Sequence, residues 1–342
     1  MARNMKSMYS KEVNLSDFKM RKYLVFLFLT IISQIIVRAE IPLNYYNSAE
    51  GLNGSDLKKK LNEIISGHLV ISYQNTDEVL SVIDRDFMDS EKVILIYSRR
   101  SDSISNCCSS GWNREHLWPN SYGINRVGPA YSDLHALRAC DSNVNSSRGN
   151  KFFDESDLSS SAYKSIAHPE AILCSSDNNS WSPPESIKGD IARALFYMDI
   201  RYEGVGNDPN LELTDELKLI KSKSTYMGSL STLLVWHIID PVSEEERIRN
   251  NEVYRYQKNR NPFIDHPSWV NAIWKHPLSL KITKGADNIK IEWPSKPPRV
   301  FLEYSNDLKK WNESVHDHST SHSSNFTIFP QNSGSYYRLK IK

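Results

Sequence analysis

The hydrophobic period of this chain changes once, near His276-Pro277, and that change limits the fold more than any other feature. Before it, apolar residues recur at helical spacing. Leu52, Leu57, Leu61, Ile64 and Ile65 form such a stripe within 49–67, with Ser55 as a candidate N-cap. Residues 187–202 predict a helix through Ile191, Leu195 and Met198, and 225–240 another through Leu230, Leu233, Leu234 and Ile238. A charged helix is expected over 244–257, and a helix start over 132–137 with Asp133 as its cap. Val93-Ile94-Leu95-Ile96-Tyr97 is short, apolar and β-branched, which predicts a buried strand, while 111–123 reads as strand-like or turn-rich. Beyond Pro277 the period becomes two. Ile289-Lys290-Ile291-Glu292-Trp293 and Tyr336-Tyr337-Arg338-Leu339-Lys340-Ile341 alternate, punctuated by Pro294, Pro297, Pro298 and a Ser/His-rich stretch at 316–324. The reading is an α+β domain over 40–276, then a small all-β, sandwich-like module over 277–342.

Residues 1–39 stand apart from both. Met20-Arg21-Lys22 is followed by Tyr23 to Ile32, apolar except for Thr30, and the segment closes on Val37-Arg38-Ala39. A basic start, a short apolar run and a small residue at the end predict a secretory signal peptide cut after Ala39, with Met20 as an alternative start. The run is short for a membrane span, and an uncleaved anchor is the alternative. The expected location is secreted or periplasmic, with no membrane association after cleavage. In such a compartment Cys107, Cys108, Cys140 and Cys174 suggest one or two disulfides, and four cysteines allow three pairings. Neighbours rarely bond each other, so Cys107 and Cys108 are each expected to reach a distant partner. Zinc is the rival, although no CxxC or HxxxH spacing supports it.

Charge narrows the partners. With 42 basic and 41 acidic residues the net charge is +1, so no global field draws a polyanion, and any nucleic-acid contact must be local. The densest basic set is Arg247, Arg249, Arg255, Lys258 and Arg260; Glu244, Glu245 and Glu246 precede it, so it reads equally as a binding face or a solvated helix face.

Two polar clusters carry the chemistry. One is Trp112-Asn113-Arg114-Glu115-His116-Leu117-Trp118-Pro119; the other is Asp133-Leu134-His135 with Asn143-Val144-Asn145-Ser146-Ser147-Arg148-Gly149-Asn150. Hydrolysis of a phosphodiester needs a base to activate water, a hard cation against the phosphate charge and stabilisation of the leaving oxygen. Histidine suits the first, and Glu and Asn oxygens suit Mg²⁺ or Ca²⁺. Each residue also has a bland reading. His116 alone reads as an ordinary hydrogen-bonded histidine, and Asn143 and Asn145 as turn formers. Glu115 would pair with Arg114, although neighbours on a strand face opposite ways. His135 is expected to fix local geometry more than to move protons. Lys188, Arg193 and Arg201 look like scaffold ion pairs with Asp190 and Asp199, and His237 and His266 look structural.

Together these stretches resemble the bacterial endonuclease I family, exported nucleases built on a His-Me finger (ββα-metal) site. The resemblance runs through Arg114-Glu115-His116, Asp133-Leu134-His135 and Val144-Asn145-Ser146-Ser147-Arg148-Gly149-Asn150. It continues through Trp181-Ser182-Pro183-Pro184, Lys188 to Arg193, Phe196 to Tyr202, Trp236 to Ser243 and Asn259 to Pro267, covering roughly 41–274. It implies His116 as general base, Glu115 and Asn145 as ligands of one divalent cation, and Arg148 at a position suited to phosphate contact or a structural ion pair. The implied ion is Mg²⁺, with Mn²⁺ or Ca²⁺ as substitutes. Some members carry a further phosphate-binding arginine between the clusters, where Arg126 precedes Arg138. The implied activity is hydrolysis of DNA, with RNA as a second substrate, without strong sequence preference and leaving 5′-phosphates, by a monomer. The rivals are a catalytically inactive nucleic-acid- or surface-binding protein on the same fold, and a hydrolase of another phosphodiester or of cell-wall material. Leu302 to Trp311 and Tyr336 to Leu339 look like β-sandwich modules appended to exported proteins, suited to adhesion or stabilisation.

Overall fold

In a computed structural model the first helices with a clear apolar face are α1 (Gly54–Ile65) and α2 (Thr76–Ile83). The structure describes residues 41–274 except 109, 110, 125 and 127, and then 281–284, 289–294, 300–313, 323–328 and 336–341. The expected leader at 1–39 and the boundary at 276–277 lie outside the described residues. Leu57, Leu61 and Ile65 bury the predicted stripe of α1, but the cap position is Asn53, and Ser55 lies within the first turn.

Three short strands follow, β1 (Arg85–Asp86), β2 (Asp89–Ile94) and β3 (Ser101–Ser103), in an antiparallel sheet of that order. The apolar run at 93–97 supplies only the end of β2. Leu95, Ile96 and Tyr97 are buried beyond it, and the Ile96 amide donates to the Ala139 carbonyl at 2.9 Å.

β4 (Trp112–His116) pairs antiparallel with β5 (Leu137–Asp141), setting Trp112 opposite Asp141 and Glu115 opposite Arg138. α3 (Ser142–Arg148) follows directly, and the Asp141 carboxylate caps it by accepting from the Asn143 and Val144 amides. The helix expected over 132–137 is therefore absent, and Asp133 does not cap one. Its carboxylate instead accepts from the hydroxyls of Tyr197 at 2.8 Å and Tyr202 at 2.7 Å and from the Gln257 amide at 3.1 Å. Those long-range bonds hold the segment as a turn into β5, whose five residues are all buried. Trp112, Leu137 and Ala139 belong to one apolar cluster, while Leu117, Ala136, Cys140 and Val144 belong to a larger one. The β4–β5 ribbon thus has a packed core on either side, which fixes the backbone that carries Glu115 and His116.

The remainder forms the scaffold. β6 (Phe152–Phe153), β7 (Ser175–Ser176) and β8 (Ser180–Ser182) make a small sheet ordered β6-β8-β7. α4 (Lys188–Arg201) is buried on nearly every side. β9 (Glu212–Leu213), α5 (Leu217–Lys221) and β10 (Tyr226–Met227) lead to α6 (Leu230–Ile239), α7 (Glu244–Gln257), α8 (Pro262–Asp265) and α9 (Trp269–Ile273). The helix expected from 225 starts at Leu230 because Tyr226 and Met227 pair in parallel with Glu212 and Leu213. α4 approaches the end of α6 so closely that a Cβ on Gly189 would collide with the Asp240 carbonyl oxygen, so only glycine fits there.

Buried charge on α4 is paired as expected, Arg193 with Asp190 among others, while Asp199 takes a partner outside the helix. Lys188 meets Glu155 at 2.6 Å, Arg193 meets Glu246 at 2.6 Å and Asp190 at 3.2 Å, and Arg201 meets Asp208 at 2.7 Å. Asp199 pairs with Lys58 instead, at 2.7 Å. The basic set on and after α7 turns inward in part. Arg249 bonds Asp84 and the carbonyls of Leu134 and Leu137, Arg260 bonds Asp265, and Arg255 bonds Glu252. Much of that set is scaffold.

The predicted alternation beyond Pro277 corresponds to β11 (Lys281–Lys284), β12 (Ile289–Pro294), β13 (Val300–Ser305), β14 (Asn312–Glu313), β15 (Ser323–Ile328) and β16 (Tyr336–Ile341). They form two antiparallel sheets, β11-β12-β15 and β14-β13-β16. Arg338 on β16 bonds Glu303 at 2.8 Å and lies 4.0 Å from the Trp311 ring.

The cysteines depart from expectation. Cys107 and Cys108 lie at disulfide distance of one another, while Cys140 and Cys174 are buried free thiols. Burial pushes the Cys140 thiol well above its usual range and that of Cys174 up to about 12, so both stay protonated and behave as core side chains. Among the described residues no helix is long and apolar enough to cross a membrane.

Candidate active site

Alternation along β4 assigns its side chains to two faces. Glu115 goes to the face covered by α3 and is buried. Its Oε1 accepts from the Tyr97 hydroxyl at 2.6 Å and from Arg148 Nη1 at 3.1 Å. Burial raises the Glu115 carboxyl above its ordinary range, while Arg148, the Tyr97 hydroxyl and the His116 amide pull it back toward ionisation.

Arg148 lies one turn after Asn145 on α3 and is 1% exposed. Besides Glu115 it donates to the carbonyls of His116 at 3.0 Å and Leu117 at 2.9 Å, and its guanidinium carbon sits 4.5 Å from the Phe153 ring centre. Of the two roles implied for this position, the structure provides the ion pair. A phosphate arriving from solvent does not reach a group so enclosed.

Asn145 is half-buried on the same side of α3. Its Nδ2 donates to Asn113 Oδ1 at 2.6 Å and to the Arg114 carbonyl at 3.2 Å. With the amide nitrogen engaged by the strand, the Oδ1 end is left as a donor atom for a cation. Glu115, Asn145 and Arg148 are therefore gathered by the contact of α3 with β4, and the two candidate ligands offer hard oxygen donors, as Mg²⁺ chemistry requires.

His116 leaves β4 on the other face. Its ring stacks with Tyr73 (centroids 5.6 Å apart, 19° between planes) and with Tyr131 (5.1 Å, 18°). Nε2 lies 2.9 Å from the Tyr131 carbonyl oxygen. A carbonyl only accepts, so Nε2 carries the proton and the neutral ring keeps its lone pair on Nδ1. Nδ1 has no hydrogen-bond partner among the described residues. Burial lowers the imidazole pKa to about 4, aided by Arg114 and Arg148 and opposed by the Tyr131 carbonyl, so the ring is neutral at ordinary pH. His116 does not share the face of Glu115 and Asn145, but the backbone ties them: Arg148 bonds both the Glu115 carboxylate and the His116 carbonyl.

A cleft of about 380 Å³ opens beside this strand, lined by Tyr73, Cys108, Asn113, Arg114, Ser142, Asn143 and Ser146. Tyr73 at one end stacks on His116, and Asn113 at the other holds Asn145. The lining is thus made of neighbours of the predicted residues. Arg126 is exposed in the loop before β5. His135 is buried with Nε2 3.4 Å from the Asn259 carbonyl, and His237 Nε2 lies 3.1 Å from the Pro267 carbonyl, in keeping with structural roles. The three acidic or sulfur side chains of Asp77, Cys107 and Cys108 are close enough to share an ion, but the sulfurs lie at disulfide distance of one another.

Sequence reasoning missed Tyr73, Tyr97, Asn113 and Tyr131. Asn113 sits inside the quoted motif and was legible as a neighbour on the Glu115 face by alternation. The three tyrosines come from other segments and carry no local signal.

Ribbon, following helix, buried glutamate and a histidine whose Nδ1 has no hydrogen-bond partner among the described residues make up the candidate site. Residues 53–268 match the family model for endonuclease I, and the chain belongs to that family. It is an endonuclease, an enzyme that hydrolyses phosphodiester bonds of nucleic acid. It is 44% identical over 247 residues, 71% of this chain and 82% of the relative, to an extracellular ribonuclease of Bacillus amyloliquefaciens. An extracellular ribonuclease of Bacillus subtilis (strain 168) is 43% identical over 235 residues, 67% of this chain and 78% of that protein.

Proposed function

We propose that the protein is a secreted, divalent-cation-dependent endonuclease that cuts DNA and RNA through backbone contacts, leaving 5′-phosphates. His116 is the general base, Glu115 and Asn145 hold the cation, and Arg148 is a positioning residue. The observation that carries this reading is the fixed imidazole: Nε2 is committed to the Tyr131 carbonyl at 2.9 Å and the ring is kept neutral, leaving Nδ1 to take a proton from the attacking water. A hard divalent cation such as Mg²⁺, held by the Glu115 carboxylate and Asn145 Oδ1, would supply neutralisation of the charge that builds on the phosphate. Tyr97 and Arg148 fix the Glu115 carboxylate, and the Asn113 side chain and Arg114 carbonyl fix the Asn145 amide, so both groups are oriented before any ligand arrives.

Secretion is supported by the leader pattern at 1–39 and by the extracellular location in the names of both relatives, which also favour RNA as a substrate. The reading takes the enzyme as a monomer, with the β-rich residues 277–342 as an appended module. The test is nicking of plasmid DNA and cleavage of single-stranded RNA by wild type and His116→Ala, with Mg²⁺ and with EDTA. Wild type is expected to cut both with Mg²⁺ and neither with EDTA, and the variant to bind but not cut. Undiminished cleavage by the variant would refute the role given to His116.

A further inference from the structure

The cleft beside β4 contains a cation that the proposed chemistry does not use. Arg114 reaches into it from the strand that carries Glu115 and His116. Its guanidinium carbon sits over the Tyr73 ring, 4.0 Å from the centre, and Nη1 donates to the Tyr73 carbonyl at 2.7 Å. The nearest acid is Asp77, with Nη1 4.0 Å from Oδ1, at the outer limit of an ion pair. Nη2 and Nε have no hydrogen-bond partner among the described residues. An arginine held by an aromatic ring and one carbonyl, with the three N–H donors of Nη2 and Nε unpaired among the described residues, is oriented for a ligand offering two accepting oxygens to its fork.

Other residues lining the cleft add to it. The Ser142 hydroxyl is a buried side-chain oxygen with no hydrogen-bond partner among the described residues, and Ser142 lines the cleft. A buried hydroxyl without a partner costs free energy unless a ligand or water satisfies it. Asn143 adds a side-chain amide whose contact is a 3.4 Å approach to Glu170. Guanidinium, hydroxyl and amide donors therefore converge on one polar space.

We infer that this cleft is a second phosphate subsite, in which Arg114, with the Ser142 hydroxyl and the Asn143 amide, grips a backbone phosphate of the polynucleotide adjacent to the one being cut. The inference rests on the nuclease reading above and adds to it the ligand of the cleft. Such a subsite reads no base, so it supplies affinity and register without sequence preference. Asp77 weakens the grip by competing for Arg114, so Asp77→Asn strengthens it.

The test is a methylphosphonate scan. Short oligonucleotides each carry one neutral methylphosphonate linkage, and cleavage at every remaining phosphodiester is read bond by bond on a gel. For wild type, one position flanking the cut bond depresses kcat/KM about tenfold or more, the worth of a hydrogen-bonded charge contact. In Arg114→Gln that penalty disappears, and in Arg114→Lys part of it returns. In Asp77→Asn it grows. For the natural oligonucleotide, the salt dependence of binding measured in EDTA falls by close to one phosphate contact in Arg114→Gln. A wild-type scan with no penalised flanking position, which needs no variant to fold, overturns the subsite. A penalty retained in full by Arg114→Gln overturns the assignment to Arg114. Absence of cleavage by wild type on every oligonucleotide with Mg²⁺ would instead strike at the nuclease reading itself.

Discussion

The surroundings of His116 and of His135 begin alike and end differently. Both imidazoles place Nε2 against a backbone carbonyl, at 2.9 Å for Tyr131 and 3.4 Å for Asn259, and burial drives both pKa values down, to about 4 and about 3. Around His135, however, the polar atoms bind one another. Asp133 accepts from Tyr197, Tyr202 and Gln257, Asn259 donates to Tyr197, and the ring of His135 lies 4.4 Å from that of Tyr197. Burial opposes ionisation of Asp133, but His68, His135 and its hydrogen bonds outweigh it and hold the carboxyl near 2. In the His116 region several atoms have no partner among the described residues: Nδ1 of His116, Oδ1 of Asn145 and part of the Arg114 guanidinium. A depressed pKa therefore does not separate the two histidines, and neither does the ring's own bonding, since each makes one bond through Nε2; what differs is the surroundings, a closed polar network around His135 and, beside His116, a polar cleft lined by its stacking partner Tyr73.

The largest expected effect tests that contrast head on. His116→Ala should lower kcat by about 10²–10⁴-fold with little change in melting temperature, whereas His135→Ala should melt early and retain its activity per folded molecule. Activity assays paired with thermal unfolding check this, and a stable but inactive His135→Ala would break the comparison. Arg148→Met strands the buried Glu115 carboxylate and should cost about 3–5 kcal/mol in urea unfolding, part of it recovered in the double variant with Glu115→Gln.

Asp154 sharpens the same lesson away from the cleft. Burial raises its carboxyl to about 7, against hydrogen bonds from Thr232 and the Glu155 amide. The folded state thus keeps a proton that the unfolded chain releases near pH 4. Stability should fall as pH rises from about 4 to about 7, by on the order of 4 kcal/mol, and Asp154→Asn should flatten that slope in denaturant titrations at several pH values. Tyr73→Leu removes one stacked neighbour of His116, and a rate loss of about two- to tenfold is expected from the worth of such a contact. Smallest is Arg255→Ala, whose exposed pair with Glu252 predicts a change within about 0.5 kcal/mol and an unaltered KM; a raised KM would return that helix face to the substrate.

The candidate site residues were legible because they lie in two continuous stretches, and the helices at 187–202 and 244–257 because their apolar or charged pattern outweighs their surroundings. The segment 132–137 misled because Asp before an apolar residue is a local capping signal, and bonds from Tyr197, Tyr202 and Gln257 overrode it. The cysteines misled for a related reason: an even count constrains pairing, but core burial took two of them out of the count.

By itself, then, the sequence determined which side chains are present, their spacing along one strand and one short helix, and the change from helical to strand period. Tertiary structure alone decided that Arg148 points inward at Glu115, that His116 presents Nδ1 and not Nε2, and that Arg114 is left with donors to spare. Each of those outcomes depends on partners distant along the chain, such as Tyr73, Tyr97 and Tyr131, and hydrogen-bond satisfaction is a property of the assembled neighbourhood that no local pattern encodes.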